Sequence, residues 1–342
     1  MIGRRGSLLC LDLTAEEVTG IEVRDGRVTH WFTHELLPGS IAGGIPTDAK
    51  RLAAQLRISL DTAGTSARRV RIAISDTALL TRIVTLPPMP RHELRRAASY
   101  AAERELPIPA AQRVWSWKRI RVDDGPPAIL LMACWRDALD RVQEAMLSAG
   151  LETEFIEPRS AALARSIDPE RALVLELSGG TVRATGVARG QVPTTMQTKA
   201  PAEAKGWADV IEPLVLSARR QLGKSGRDLP VLITQGLEAA IPEALGARPV
   251  ASALALRNLK VSSELPAQRY LVPLGLALGG GDNVRLKASP NRHRPNEARA
   301  VLHRANKRWV PGLAIVSLLS WSTVVAGAAL LLGWHPFWPL AP

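Results

Sequence analysis

The feature that most constrains the fold is an order of strands and helices that occurs twice along the chain. In the first copy, Asp25-Gly26 predicts a tight turn between two strands. Asp48 precedes an apolar helical face and is placed to cap that helix. The first copy therefore predicts, in order, strands at 7–12, 18–24 and 27–33, a helix after Asp48, and a strand at 69–75.

The same order returns in the second half of the chain. Pro213 lies inside the predicted helix of this copy, where we expect it to kink or split the helix. Arg189-Gly190 predicts the hairpin turn. The second copy predicts strands at 171–177, 180–188 and 191–197, a helix over about 203–222, a strand at 229–234, and a helix from about 237.

A duplicated unit of this kind predicts two α/β lobes that face each other across a cleft. Asp12 and Glu176 end the first strand of each copy, so we expect both carboxylates to line that cleft. The layout resembles the actin-like, ribonuclease H-like ATPase fold. The predicted divisions are lobe I at 1–168, lobe II at 169–281, a basic linker at 282–309, a membrane helix at 310–333 and a short external tail at 334–342.

Residues 80–134 predict a small α+β subdomain inserted into the first lobe. Three prolines between 87 and 90 interrupt the chain, and an amphipathic helix from Arg91 to Leu106 follows and stops before Pro107. Strand-like runs come next at 113–121 and 128–134, and a helix is predicted at 137–149.

Near the C-terminus, Val310 to Gly333 is a run of 24 residues without a charge. As a helix it would be about 36 Å long, enough to cross a bilayer. Trp309 and Trp334 bracket the run, as interfacial aromatic residues do. Arg304, Lys307 and Arg308 precede it and no Lys or Arg follows it. The sequence therefore predicts a single-pass membrane protein whose N-terminal part is cytoplasmic.

Charge and cysteine content exclude several other classes. The net charge is +12, and residues 282–309 hold eight Lys/Arg against two acids, so about half of the excess lies in this linker. Because the linker lacks interleaved aromatic residues, we do not expect a nucleic-acid partner. Two cysteines, Cys10 and Cys134, exclude a disulfide scaffold and a cysteine-rich zinc module, and no metal site is predicted.

Five segments together resemble PilM, the actin-like cytoplasmic protein of type IV pilus assembly. They are LCLDLTAEEVTGIEV, LLPGSIAGGIPTDAKRLAAQLR, TRIVTLPPMPRHELRRAASYAAERELPIP, AGLETEFIEPRSAALARS and YLVPLGLALGG. The resemblance covers most of residues 7–280. PilM binds the cytoplasmic N-terminal peptide of the membrane protein PilN, so the resemblance implies a peptide-binding partner.

The residues after the second lobe extend the resemblance. Asn283-Val284-Arg285-Leu286 is similar to the start of PilN, which carries an Asn-Leu-Leu-Pro-like motif. Only Asn283 and Leu286 match that motif. An actin-like domain and a membrane span on one chain are also the plan of GspL, the platform protein of type II secretion, which resembles a PilM–PilN fusion. The resemblance thus leaves pilus assembly and secretion both open.

The resemblance also implies where a nucleotide would bind, and the chain departs from the pattern there. The family's first phosphate segment has a Gly and a Lys where this chain has Thr14 and Thr19, and Glu16 and Glu17 add negative charge. The candidate nucleotide-binding residues that would remain are Asp12, Thr14, Glu176, Ser178, Gly179, Gly180 and Gly236. We therefore predict no catalytic residue and no cofactor, with weak binding of ATP and magnesium left open.

The sequence thus predicts a non-catalytic scaffold that links a hexameric assembly ATPase to PilN/PilO-like or secretion platform proteins. The expected seat for a partner peptide, or for the chain's own residues 283–290, is the cleft near the inserted subdomain. The alternatives are a GspL-like type II secretion platform protein and an actin-like ATPase tethered to the membrane. Homo-oligomer formation is left open.

Overall fold

The computed structural model describes residues 6–120, 126–167, 171–178, 180–188, 194–201, 206–221, 229–234, 237, 245–256 and 259–279. The first elements are β1 (Leu8–Leu13), β2 (Glu17–Arg24), β3 (Arg27–Glu35), β4 (Ile41–Ala42), β5 (Ile45–Pro46), α1 (Ala49–Thr62) and β6 (Arg69–Ile74). Next come β7 (Leu80–Thr85), α2 (Arg91–Glu105), β8 (Arg113–Ile120), β9 (Ala128–Trp135), α3 (Arg136–Ser148), β10 (Glu152–Pro158) and α4 (Arg159–Ser166). The last are β11 (Arg171–Ser178), β12 (Thr181–Ala188), β13 (Thr194–Lys199), α5 (Trp207–Gln221), β14 (Val231–Ile233), β15 (Arg248–Pro249) and α6 (Leu271–Ala277).

Two five-stranded sheets share one topology. The first has the order β10-β6-β1-β2-β3 and the second β13-β12-β11-β14-β15. In each, the first strand pairs antiparallel with the second and parallel with the strand after the helix. The predicted duplication and the two-lobe α/β fold are therefore confirmed.

Local chemistry explains how the first lobe forms. Asp25 and Gly26 both have positive φ, 49° and 73°, as the tight turn between β2 and β3 requires. Asp48 Oδ1 accepts hydrogen bonds from the backbone N–H groups of Lys50 (2.8 Å) and Arg51 (3.1 Å) and so caps α1. Both features agree with the sequence patterns.

A three-stranded sheet of order β7-β9-β8 is inserted in the chain between β6 and α3. Its central strand is buried on both faces. Ile129, Leu131 and Ala133 pack in a core with α2, whereas the alternating Leu130 and Met132 join the core that contains α1 and α3. The sequence patterns missed β7.

The two large sheets share a hydrophobic core with α4 and α6. That core contains Cys10 and Phe155 from the first sheet and Val174 and Leu232 from the second. Because these side chains pack with Leu163 of α4, the two lobes are in direct contact through this core.

Several sequence predictions shift or fall elsewhere. The strand expected at 191–197 is β13 at Thr194–Lys199, and the helix expected over 203–222 is α5 at Trp207–Gln221 with Pro213 inside it. The linker, the membrane helix at 310–333 and the tail lie outside the described residues. Within the described residues, no helix is long and apolar enough to cross a membrane.

Candidate functional site

Asp12 and Glu176 occupy matching places in the two lobes. Asp12 lies near the end of β1, opposite Thr19 of β2, and Glu176 lies near the end of β11, opposite Arg183 of β12. Both carboxylates are buried. An isolated buried carboxylate is unfavourable, so each needs a partner.

Arg159 is the partner of both carboxylates. Its Nε donates to Asp12 Oδ2 at 3.0 Å, and its Nη1 and Nη2 donate to Glu176 Oε2 and Oε1 at 2.8 and 2.9 Å. The bidentate pair with Glu176 is the strongest geometry available to a guanidinium and a carboxylate. One buried side chain therefore joins the first strands of the two lobes.

A third acid, Asp76, binds the N-terminus of the helix that carries this arginine. Arg159 is the first residue of α4, and Asp76 follows β6 in a short 3₁₀ helix. Asp76 Oδ2 accepts from the backbone N–H of Ser160 at 3.2 Å, and its Oδ1 accepts from the Ser160 hydroxyl. Asp76 therefore satisfies an N-terminal N–H of α4 and fixes the direction in which the Arg159 side chain leaves the helix.

The charges in this cluster shift one another's pKa values in both directions. Burial raises the pKa of Asp12, although the positive charge of Arg159 opposes the shift. For Glu176, burial alone would raise the pKa, but the charge of Arg159 and its two hydrogen bonds hold that pKa below its ordinary range. Burial tends to lower the pKa of Arg159, yet Asp12 and Glu176 together raise it. The guanidinium therefore stays charged at every accessible pH.

Arg183 and Glu16 complete the cluster. Burial and the charge of Arg159 lower the pKa of Arg183, while Glu176, Asp12 and Glu16 oppose that shift. Among the buried side-chain atoms of the described residues that lack a hydrogen-bond partner are Asp12 Oδ1, Glu16 Oε2 and Arg183 Nη1. Two of these three atoms are carboxylate oxygens, which repel a phosphate group, and the third is a guanidinium nitrogen, which attracts one.

Thr14, the residue at the family's glycine position, bonds within its own turn. Its hydroxyl donates to the Glu17 carbonyl at 2.9 Å and accepts from the Glu17 N–H at 3.1 Å. The Thr14 N–H is also bonded to the Glu17 carbonyl. The Thr14 hydroxyl and N–H and the Glu17 N–H are therefore already engaged within the turn.

The other candidate site residues fall in three groups. Ser178 and Gly180 belong to the turn between β11 and β12, where Gly180 has a φ of +71°. Gly179 and Gly236 lie outside the described residues. So do the predicted partner segment and the membrane-flanking residues, namely Asn283, Val284, Arg285, Leu286, Arg304, Lys307, Arg308, Trp309 and Trp334.

Sequence reasoning missed Arg159, Asp76 and Arg183. One signal was present, because Pro158-Arg159 opens a helix and a cation at that end is disfavoured by the helix dipole unless an acid pairs with it. Asp12 is 147 residues from Arg159 in sequence, and Glu176, although only 17 residues away, lies on a different element. No local pattern could identify them.

The inserted subdomain has a small groove on its surface. It has a volume of about 120 Å³ and lies between the end of β7, the start of α2 and the strands β8 and β9. Its lining is apolar apart from Arg119, and the other lining residues are Leu86, Pro87, Pro88, Met89, Leu94, Pro127, Ala128 and Ile129. A groove of this size admits one or two aliphatic side chains of a partner.

These features define a two-lobe α/β protein with the actin-like fold and an inserted sheet. A solved structure of this fold, described as a PilM-PilN type IV pilus biogenesis complex, is similar over 80% of this chain and 98% of that chain, with 21% identity and a TM-score of 0.60. The resemblance to PilM seen in the sequence is thus confirmed at the level of the fold.

A second similar structure is the cytoplasmic domain of EpsL, an inner-membrane component of the type II secretion system of Vibrio cholerae. It matches 81% of this chain and 97% of that chain at 13% identity, with a TM-score of 0.49. No protein-family model and no curated protein matches the chain.

Proposed function

We propose that this chain is a non-catalytic scaffold protein of type IV pilus assembly, which acts by binding a PilN-like membrane partner. The proposal is supported by the fold shared with the PilM-PilN structure. In the same proposal, residues 310–333 anchor the chain in the inner membrane, and the two-lobe body connects an assembly ATPase to the membrane platform.

The observation that carries the non-catalytic part is the Arg159 bridge. In a nucleotide-binding cleft, the carboxylates at the strand ends must be free to organise a metal ion and its phosphates. Here Asp12 and Glu176 already bind a guanidinium supplied by the chain itself. A magnesium nucleotide would have to displace a buried, doubly paired arginine, at a cost of several kcal/mol.

The groove of the inserted sheet is the proposed contact for the partner. Its apolar lining suits aliphatic side chains of an extended peptide, and Arg119 at its rim suits an acidic group or a terminal carboxylate of that peptide. Met89 is half-buried in the lining, so its replacement by a charged residue changes the groove without opening the core.

Binding of a PilN-like N-terminal peptide, measured by fluorescence anisotropy with the full-length chain, tests this proposal. We expect saturable binding that Met89→Asp weakens by about 10-fold or more, which corresponds to at least 1.4 kcal/mol. Ser99→Asp is the matched control, because Ser99 is exposed on α2 of the same subdomain and lies outside the groove lining. The absence of binding, or turnover of ATP by the purified chain, would overturn the proposal.

A further inference from the structure

The outer edge of the inserted sheet is an unusual strand. β8 is eight residues long and pairs with β9 without a register shift. It contains neither Pro nor Gly, and among the described strands β9 is its one partner. Long, regular edge strands of this kind are templates for pairing with another chain, and proteins usually interrupt them.

The side chains of β8 add a reason for such pairing. Trp115 and Trp117 lie on the face of the sheet that packs with α2, and both remain half-buried. Trp135 of β9 is on the same face and is 50% exposed. Tryptophan is enriched where protein surfaces bind each other, because it buries a large area with little loss of side-chain freedom.

The sequence of β8 favours a second copy of the same strand as its partner, because it is nearly symmetric about Ser116. If two copies of β8 pair antiparallel around a two-fold axis through Ser116, Trp115 of each copy lies opposite Trp117 of the other. The four indoles then lie on one face as two cross-strand aromatic pairs, which favour strand association. Val114 lies opposite Lys118, so this register places no like charges directly opposite each other at these positions.

At the ends of the strand the same register brings two arginines together, and an acid of α2 lies beside them. Arg119, which is exposed, falls opposite Arg113 of the second copy. Arg113 is buried and paired with Glu103 of α2, whose side chain is 60% exposed. Glu103 can accept Arg119 of the second copy as well, which offsets part of the repulsion between the two arginines.

We propose that a second copy of this chain binds along β8 and that the two inserted sheets form one continuous six-stranded sheet across a two-fold axis. This proposal does not rest on the proposed function. The two surfaces share Arg119, so the test changes Ser116, which lies outside the groove lining.

The test uses the full-length chain in a nonionic detergent, with mass measured by analytical ultracentrifugation. We expect a dimer for the unmodified chain. Ser116→Lys and Ser116→Glu each place like charges face to face on the axis, so each is expected to weaken the dimer by about 10-fold or more. An equimolar mixture of the two variants pairs opposite charges and is expected to restore the dimer. Circular dichroism and the melting temperature verify that each variant is folded.

A matched control on the opposite edge of the same sheet tests whether the effect is specific to β8. Thr81 is exposed on β7, the opposite edge strand of the same sheet, and Thr81→Lys is expected to leave the dimer intact. In a second readout, Ser116→Cys is expected to form an intermolecular disulfide under mild oxidation, whereas Thr81→Cys is not. A monomeric unmodified chain would overturn the proposal, as would a dimer that survives Ser116→Lys, or a Ser116→Lys variant that changes only peptide binding.

Discussion

At the scale of the residue, Arg159 is stable only because of what surrounds it. A guanidinium at the first position of a helix faces the positive end of the helix dipole and, when buried, loses its hydration. Two carboxylates from different sheets compensate for both effects. Such a cluster is not by itself a large source of stability, but removal of one member leaves charges without partners.

Arg159→Met is therefore expected to lower the free energy of unfolding by about 3–5 kcal/mol. Urea denaturation followed by tryptophan fluorescence measures this change. The control is Arg269→Met, because Arg269 is 55% exposed in its ion pair with Glu17 and its loss is expected to cost at most about 1 kcal/mol. Equal effects of the two substitutions would contradict the bridge. In the Arg159→Met background, Asp12→Asn and Glu176→Gln together should recover part of the loss.

The two carboxylates should affect the pH dependence of stability in opposite directions. The pKa of Glu176 is lowered from 4.5, so its ionised form stabilises the fold above that pH, and the stabilisation is lost as the pH falls through the folded-state value. The destabilisation caused by Glu176→Gln should then shrink as the pH is lowered below 4.5.

The pKa of Asp12 is raised from 3.8, so Asp12→Asn should become relatively more stable as the pH rises above that value. Urea denaturation over a pH series measures both slopes, and slopes of the same sign would be inconsistent with these shifts.

At the scale of the element, α4 and α6 determine where the bridge lies. Gly275 of α6 approaches the backbone of α4 so closely that an added Cβ would lie 1.8 Å from the Ala162 carbonyl oxygen. Arg165 of α4 also donates to the Gly275 carbonyl at 2.9 Å. A displacement of α6 would therefore move the helix that carries Arg159.

Gly275→Ala should destabilise the chain by about 1–3 kcal/mol, because backbone rather than a flexible side chain has to move. Differential scanning calorimetry would detect this as a lower melting temperature. Gly6→Ala is the control, since a Cβ at Gly6 meets nothing within 4 Å. An unchanged melting temperature for Gly275→Ala would show that the close contact of α4 and α6 is not rigid.

The elements also show how far sequence patterns reach. Strands β1, β2 and β3 were predictable from alternation and from the turn at Asp25-Gly26, because these signals are local. α4 was not predicted, since its eight residues, Arg159–Ser166, make only about two turns, too few to show a helical period. The pairing of Asp12 with Glu176 through Arg159 depends on the packing of α4, and no local pattern contains that information.

At the scale of the whole molecule, the two duplicated lobes are joined by a shared core and by one buried arginine. Both lobes contribute to one hydrophobic core, and Arg159 joins their first strands in a way that requires no ligand. The actin-like topology was predictable from the repeat, whereas the pairing of Asp12 and Glu176 with an arginine of the same chain was not. The fold alone therefore does not determine the function.

The last prediction follows from the bridge that Arg159 makes between Asp12 and Glu176, and it uses thermal unfolding of the full-length chain. Neither magnesium nor magnesium-ATP at millimolar concentration should raise the melting temperature of the unmodified chain, because the carboxylates that would bind the metal are engaged by Arg159. In Arg159→Ala, Asp12 and Glu176 become free in a buried site with mutual repulsion, and a divalent cation is the partner that relieves it. Magnesium alone should then raise the melting temperature of this variant, and adding Asp12→Asn should abolish the effect. A rise for the unmodified chain with magnesium-ATP, or no rise for Arg159→Ala with the metal, would show that Arg159 does not take the place of a bound cation between the lobes.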